Sequence, residues 1–325
     1  MNSAIETAIQ RFRSHYDDRL GSVSVITPET PGFKHTVLFD HSDLKADNGP
    51  RIFHHGDKTA DVIVLTHGYT DSPYYLQAVA RRFYEAGLNV VMPLLPAHGL
   101  KNPGEALQDK SLDSQWKNTI DNAIETAAFL GDRLSIGGFS TGGALSINKV
   151  LRDESGLISG GLFLFSAAIG LGDLNEAASK LGFLQTIIKL IEGETKGEGR
   201  DPYKYPEMSA TGGIEVGNIV NENNRRLDGG KEKTRVKIPV FAAHSAHDKT
   251  ARLGGLISFM EDHVDNGASV IISESVEHAC LPLEKDILLN DQFDNELSYP
   301  PVANPKFQWM MEGALSFFEK EVRNK

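Results

Sequence analysis

The stretch Gly138-Phe139-Ser140-Thr141-Gly142 constrains this chain more than any other feature of its sequence. It follows an apolar, strand-like run at residues 133–136 and precedes a helical pattern, the setting of a serine held on a sharp strand-to-helix turn. The spacing has a steric reason. Small residues two before and two after the serine let strand and helix approach, so the seryl oxygen is pushed out at the carboxyl end of a sheet. There it lies beside a helix N-terminus, whose N–H groups can stabilise negative charge. With glycine near 7% of residues, such a pentapeptide arises by chance on the order of once per ten chains of this length. The rest of the sequence must therefore agree with it.

The surrounding elements do. Residues 61–66, Asp-Val-Ile-Val-Leu-Thr, read as a strand buried on both faces, because Val, Ile and Leu crowd it and a glycine turn ends it. Ser72-Pro73 offers an N-cap and an N1 proline for a helix to about Ala86, where Gly87 stops it. Trp116, Ile120, Ala123, Ile124, Ala127 and Leu130 recur at steps of three and four, predicting a helix over about 114–130. Further strands are expected at 89–92, 161–165, 238–243 and 269–272, and further helices near 253–264 and 307–322. Strands alternate with helices, which argues an α/β fold: a mostly parallel twisted sheet flanked by helices on both faces, opened by a hairpin at 35–40 and 51–55. The core is expected to comprise residues 1–166 and 238–325, with an N-terminal helix and the hairpin in about the first 60.

About 70 residues, 167–237, separate two consecutive core strands. A structureless loop of that length is improbable. An amphipathic helix over 179–191, followed by the Gly- and charge-rich residues 192–200, reads as a small cap with a mobile hinge.

Composition narrows the partners. Lys and Arg number 33 against 44 Asp and Glu, a net charge of −11, so the mean field repels phosphates and nucleic acid is excluded as a partner. The single cysteine, Cys280, forbids an intrachain disulfide and a cysteine-based metal site. No apolar run of about 18 residues and no signal peptide is visible, so the expected location is cytoplasmic, without a stable membrane anchor. No motif calls for a cofactor or a metal. The pair His54-His55 lacks a helical partner spacing, and the glycines at 137–143 fit neither a phosphate loop nor a dinucleotide fingerprint. Oligomeric state is not legible.

A serine hydroxyl is a poor nucleophile until a base takes its proton, so Ser140 requires a histidine and a carboxylate to orient it. In this topology the chain order is Ser, acid, His. Asp248 follows the strand at 238–243 and His278 follows the strand at 269–272. Asp173, after the strand at 161–165, is the alternative acid. Among rival histidines, His15 and His263 sit in helix patterns and are expected at the surface, whereas His244 and His247 either pack or line a pocket. The loop Thr66-His67-Gly68-Tyr69-Thr70 can supply a second oxyanion donor.

His67-Gly68-Tyr69, Pro96-Ala97-His98-Gly99, Trp116, the turn at Ser140, Asp248 and His278 together resemble the α/β-hydrolase superfamily, in particular its bacterial carboxylesterase and monoacylglycerol lipase branch. The resemblance covers about residues 50–280. It implies that Ser140 is the nucleophile, His278 the base, Asp248 its orienter, and the backbone N–H groups of Tyr69 and Thr141 the oxyanion hole. The activity implied is hydrolysis of small-molecule carboxylic esters through an acyl-enzyme. Thioester or amide hydrolysis by the same residues, or an inactive ligand-binding fold, are the alternatives. Three departures bear on substrate choice: Ala97 where glycine is commoner, a long N-terminal extension, and about 27 residues between His278 and the last helix. In the cap helix an apolar stripe including Phe183, Leu184, Ile187 and Ile188 either packs on the cap's own core or roofs the pocket for an apolar acyl chain.

Overall fold

The computed structural model describes residues 3–170, 198–207, 209–293 and 301–324. Helix α1 (Ser3–Leu20) leads into strands β1 (Ser24–Ile26), β2 (His35–Asp40), β3 (Arg51–His54) and β4 (Thr59–Thr66). Then follow α2 (Gln77–Glu85), β5 (Asn89–Met92), α3 (Leu112–Ala127), β6 (Gly131–Phe139), α4 (Thr141–Arg152) and β7 (Leu162–Phe165). Within the expected insertion comes α5 (Ala210–Asp228), and after it β8 (Val240–Ser245), α6 (Leu253–His263), β9 (Gly267–Ile272) and α7 (Phe307–Phe317).

Among the described residues nine strands form one sheet, in the order β1-β2-β3-β5-β4-β6-β7-β8-β9. The first three pair antiparallel, β3 pairs antiparallel with β5, and every pair from β5 to β9 is parallel. The expected α/β architecture with its opening hairpin is thus the observed one. Strand β1, exposed along its length, had no apolar signature in the sequence.

The two-residue period of the strands splits the core into two layers. Val62 and Val64 of β4, Leu162 and Leu164 of β7, and Val240 and Ala242 of β8 face α1, α3, α4, α5 and α6. Their alternates Ile63, Leu65, Phe163, Phe165, Phe241 and Ala243 face α2 and α7. Both layers are continuous, so the strand ends are held rigidly.

Two local expectations are corrected, and one helix is new. Residues 73–76 form a tighter turn before α2, and Ser72 makes no side-chain cap there. His263 is buried, its Nδ1 2.9 Å from the Thr234 carbonyl, because α6 turns its last residue onto the segment entering β8. Helix α5 had no expectation at all, since Gly212, Gly213, Gly217 and a run of asparagines dilute its helix signal. It packs on α4, where Asn223 Nδ2 donates to the Ala144 carbonyl and Asn148 donates to Asn223. The cap helix expected at 179–191 lies outside the described residues, as do Phe183, Leu184, Ile187, Ile188 and Asp173.

Candidate active site

Ser140 sits between β6 and α4 with φ 51° and ψ −114°, a backbone conformation that a residue with a side chain enters at a cost. Its surroundings enforce it. The Ser140 N–H donates to the Phe165 carbonyl, and the Ser140 carbonyl accepts from Ala144 and Ala168. A methyl group on Gly138 would lie 2.5 Å from the Gly142 carbonyl carbon, and one on Gly142 only 2.0 Å from the Thr66 oxygen. Only glycine fits either place, which is the steric reason for the spacing.

His278 lies on a short turn after β9, and its Nε2 is 2.9 Å from Ser140 Oγ. Its Nδ1 is 2.6 Å from Asp248 Oδ2. The second Asp248 oxygen accepts the N–H groups of Thr250 and Ala251 at 2.8 and 2.9 Å, which aims the carboxylate. An ionised carboxylate accepts only, so Nδ1 carries the ring proton and Nε2 is left to accept from the serine. Burial acts to raise the Asp248 carboxyl. The charge and hydrogen bond of His278, with lesser help from His244 and the Ala251 N–H, outweigh that and hold it below the usual range. All three side chains come from the carboxyl ends of parallel strands, β6, β8 and β9, where sites in such sheets form.

His244 is buried, with Nε2 2.9 Å from the Ala251 carbonyl and 3.8 Å from Asp248 Oδ2, so it packs behind the acid. His247 is exposed, with Nε2 3.0 Å from the Ser273 carbonyl. His54 and His55 stack on His35 and Tyr84, respectively. Among the described residues no three His, Cys, Asp or Glu side chains gather as metal ligands. No helix there is long and apolar enough to cross a membrane.

The loop after β4 turns tightly at Gly68–Asp71, with Thr70 at φ 70°. His67 Nδ1–H donates to the Gly68 carbonyl at 2.8 Å, and His67 Nε2 accepts the Leu95 N–H at 3.1 Å. With both nitrogens engaged the ring is neutral, and burial pushes its pKa well below the ordinary histidine value. The Gly68 carbonyl and the Tyr69 N–H belong to one trans peptide, so fixing the first turns the second to the opposite side. Neither the Tyr69 nor the Thr141 N–H has an acceptor among the described residues. Thr141 is the first residue of α4, where helix N–H groups lack internal partners.

Several residues around this turn went unread in the sequence. Tyr69 Oη donates to the Ser209 carbonyl at 3.0 Å, and the Tyr205 N–H donates to the Thr70 carbonyl at 2.9 Å. Lys204 Nζ lies 3.0 Å from Asp71 Oδ1, and the Tyr75 hydroxyl donates to Asp201. Tyr205 Oη also donates to the Ala97 carbonyl at 3.0 Å and accepts from Leu100 at 2.8 Å. Ala97 has φ 65°, so the departure noted in the sequence puts an alanine in a conformation that glycine adopts freely, and Tyr205 helps to hold it. Only Asp71, next to the His67-Gly68-Tyr69 motif, lay where sequence reasoning could have looked.

This is the α/β-hydrolase fold. The structure is similar to one from work on LipS and LipT, two metagenome-derived lipolytic enzymes, at TM-score 0.59 and 17% identity, covering 85% of this chain and 99% of that one. It is also similar to Est1E from Butyrivibrio proteoclasticus with ferulic acid bound, at TM-score 0.52 and 15% identity over 85% and 99% of the two chains. The esterase EaEST from Exiguobacterium antarcticum gives TM-score 0.52 at 12% identity over 86% and 100%. In sequence, the chain is 30% identical over 106 residues to esterase YjfP of Escherichia coli strain K12, a match covering 30% of this chain and 42% of that protein. The chain therefore matches less than half the length of that curated relative. No protein-family model matches.

Proposed function

We propose that the protein is a serine hydrolase of carboxylic esters that works through an acyl-enzyme on Ser140. The observation that carries this reading is the line from Ser140 Oγ to His278 Nε2 to Asp248, at 2.9 and 2.6 Å. As Oγ attacks the ester carbonyl, its proton passes to Nε2, and Asp248 stabilises the imidazolium from the Nδ1 side. The N–H groups of Tyr69 and Thr141 take the developing oxyanion. The imidazolium then gives its proton to the leaving alcohol, and a water activated by the same base releases the acid.

The esterase and lipolytic neighbours support an ester as substrate. We further propose that residues 167–237 act as a cap, and that the apolar stripe with Phe183, Leu184, Ile187 and Ile188 receives an apolar acyl chain. Each buried methylene then adds up to about 0.8 kcal/mol, so kcat/KM rises with chain length along a series of p-nitrophenyl esters.

The test is labelling by a fluorophosphonate together with hydrolysis of that series. Wild type is expected to react with both. Ser140→Ala is expected to lose labelling and turnover while keeping its melting temperature, with residual hydrolysis about 10³ above water from the oxyanion donors alone. Near-wild-type hydrolysis by Ser140→Ala overturns the assignment.

A further inference from the structure

We propose that Asp71 and Lys204 are a positioning pair for the oxyanion turn, tying the returning end of the insertion to the peptide that presents the Tyr69 N–H. The proposal rests on the serine-esterase reading above. Three consecutive residues of the turn are each held by a residue of the insertion: 204, 205 and 209. Tyr69 is held by its hydroxyl on the Ser209 carbonyl, Thr70 by the Tyr205 N–H, and Asp71 by the Lys204 ammonium at 3.0 Å. Just beyond the turn, the Tyr75 hydroxyl binds Asp201 on the same segment, and the Lys204 ammonium stands 5.5 Å from the Tyr75 ring centre.

The Asp71 carboxylate folds back on the glycine that shares its peptide with the Tyr69 N–H. A methyl group on Gly68 would lie 2.5 Å from Asp71 Oδ2. Asp71 is 1% exposed, and beyond the ammonium neither of its oxygens has a hydrogen-bond partner among the described residues. Removing one member of such a pair leaves an uncompensated buried charge. The two losses differ in sign. Without Lys204, the Asp71 carboxyl, which burial already raises, either keeps a bare charge that repels the second negative charge on the adjoining peptide or takes up a proton and loses its tie to the insertion. Without the Asp71 charge, a bare ammonium remains, which displaces the turn but does not repel an oxyanion.

The experiment compares Lys204→Met, Asp71→Asn, the double variant Asp71→Asn/Lys204→Met, and Lys204→Arg. The readouts are kcat and KM for p-nitrophenyl butyrate, inhibition by phenylboronic acid as a mimic of the tetrahedral oxyanion, and amide hydrogen exchange over residues 66–76. Lys204→Met is expected to lower kcat about 100-fold and to weaken the boronate similarly, with KM within about threefold. Asp71→Asn and the double variant are expected to settle about tenfold below wild type, and Lys204→Arg within about fivefold. Exchange over 66–76 is expected to quicken in Lys204→Met and in the double variant, and to stay as in wild type in Lys204→Arg.

A folded Lys204→Met with unchanged kcat, a loss carried by KM alone, or a double variant equal to wild type in kcat and exchange overturns the proposal. Should Lys204→Met not fold, the double and arginine variants make the same comparison. Should wild type neither hydrolyse esters nor take the fluorophosphonate, the esterase reading fails by itself. Exchange over 66–76 in the double variant then still decides the pair, quickening for it and no change against it.

Discussion

The turn at Ser140 and the turn after β4, the proposed oxyanion turn, abut, with Gly142 pressed on the Thr66 carbonyl, yet they are held by different means. The serine turn is fixed by backbone alone: two glycines at which a methyl group would collide, three main-chain hydrogen bonds on Ser140, and a strand on each side of β6. The oxyanion turn is fixed by side chains and main chain arriving from more than 100 residues away, through Tyr69 to Ser209, Tyr205 to Thr70 and Lys204 to Asp71. Backbone sterics leave little freedom, so the first turn is rigid by construction. The second depends on one strip of the insertion staying in place.

The sharpest way to test that contrast is to disturb the serine side without touching any fold contact of the insertion. Asp248→Asn keeps the shape of the acid but leaves the imidazole free to take the wrong tautomer, so kcat is expected to fall about 10⁴-fold. KM and melting temperature should barely move. A mild effect at Asp248 with a severe one at Asp173→Asn places the acid after β7 instead.

The same contrast explains what was legible in the sequence. Ser140, Asp248 and His278 could be named because each follows a strand whose apolar period is local, and because the glycine spacing around Ser140 follows from one collision. Trp116 and Ile120 announced α3 in the same way. Helix α5 was invisible for the opposite reason: Gly212 is there because any larger residue would strike the Tyr69 hydroxyl, a contact across more than 100 residues with no periodic trace. Lys204 and Tyr205 likewise carry no periodic signal in sequence, and become partners of the turn, one half-buried and one buried, only once the insertion returns over the sheet.

A smaller effect is expected on the oxyanion side from Tyr205→Phe. The change removes one hydroxyl that serves both the Ala97 carbonyl and the Leu100 N–H. Leaving the buried Ala97 carbonyl unpaired costs about 1–3 kcal/mol, and the half-buried Leu100 N–H adds less. Urea unfolding should show that loss, and kcat should drop by less than in Lys204→Met, since the Thr70 contact is made by the Tyr205 backbone and survives. A kcat loss larger than for Lys204→Met would mean that the aromatic strip, not the ion pair, holds the turn.

Acid should separate the two turns more gently. Burial pushes His98 down to about 4 and holds His67, whose two nitrogens engage the Gly68 carbonyl and the Leu95 N–H, well below the ordinary histidine value. Both are protonated more readily in the unfolded chain, where the ordinary value is about 6.5. Their contribution to stability is therefore whole above about pH 6.5 and is lost as pH falls from there through about 4. Melting temperature should decline across that window, with exchange at residues 66–76 quickening before exchange at 136–145. His98→Asn should make the decline shallower. A melting temperature flat between pH 7 and 4.5 would mean that these rings take up protons without strain.

The smallest effect is expected where the two regions meet. Cys280 ends the short turn that carries His278, and it lies close enough to Lys204 to feel its charge. Position alone makes it a candidate nucleophile or redox handle, but its environment argues otherwise. Burial raises the thiol pKa, outweighing both a backbone hydrogen bond from Val302 and the Lys204 ammonium, so the group stays a thiol at neutral pH. Serine keeps the size and can take the same hydrogen bond, so Cys280→Ser should hold kcat within about threefold of wild type and lower stability by no more than about 1 kcal/mol. Iodoacetamide should leave the native protein unmodified over the time in which it alkylates the urea-unfolded chain. If Cys280→Ser instead loses activity while Ser140 still takes the fluorophosphonate, the contact between the His278 turn and the Lys204 segment steers the base, and the two regions cannot be treated as separately held.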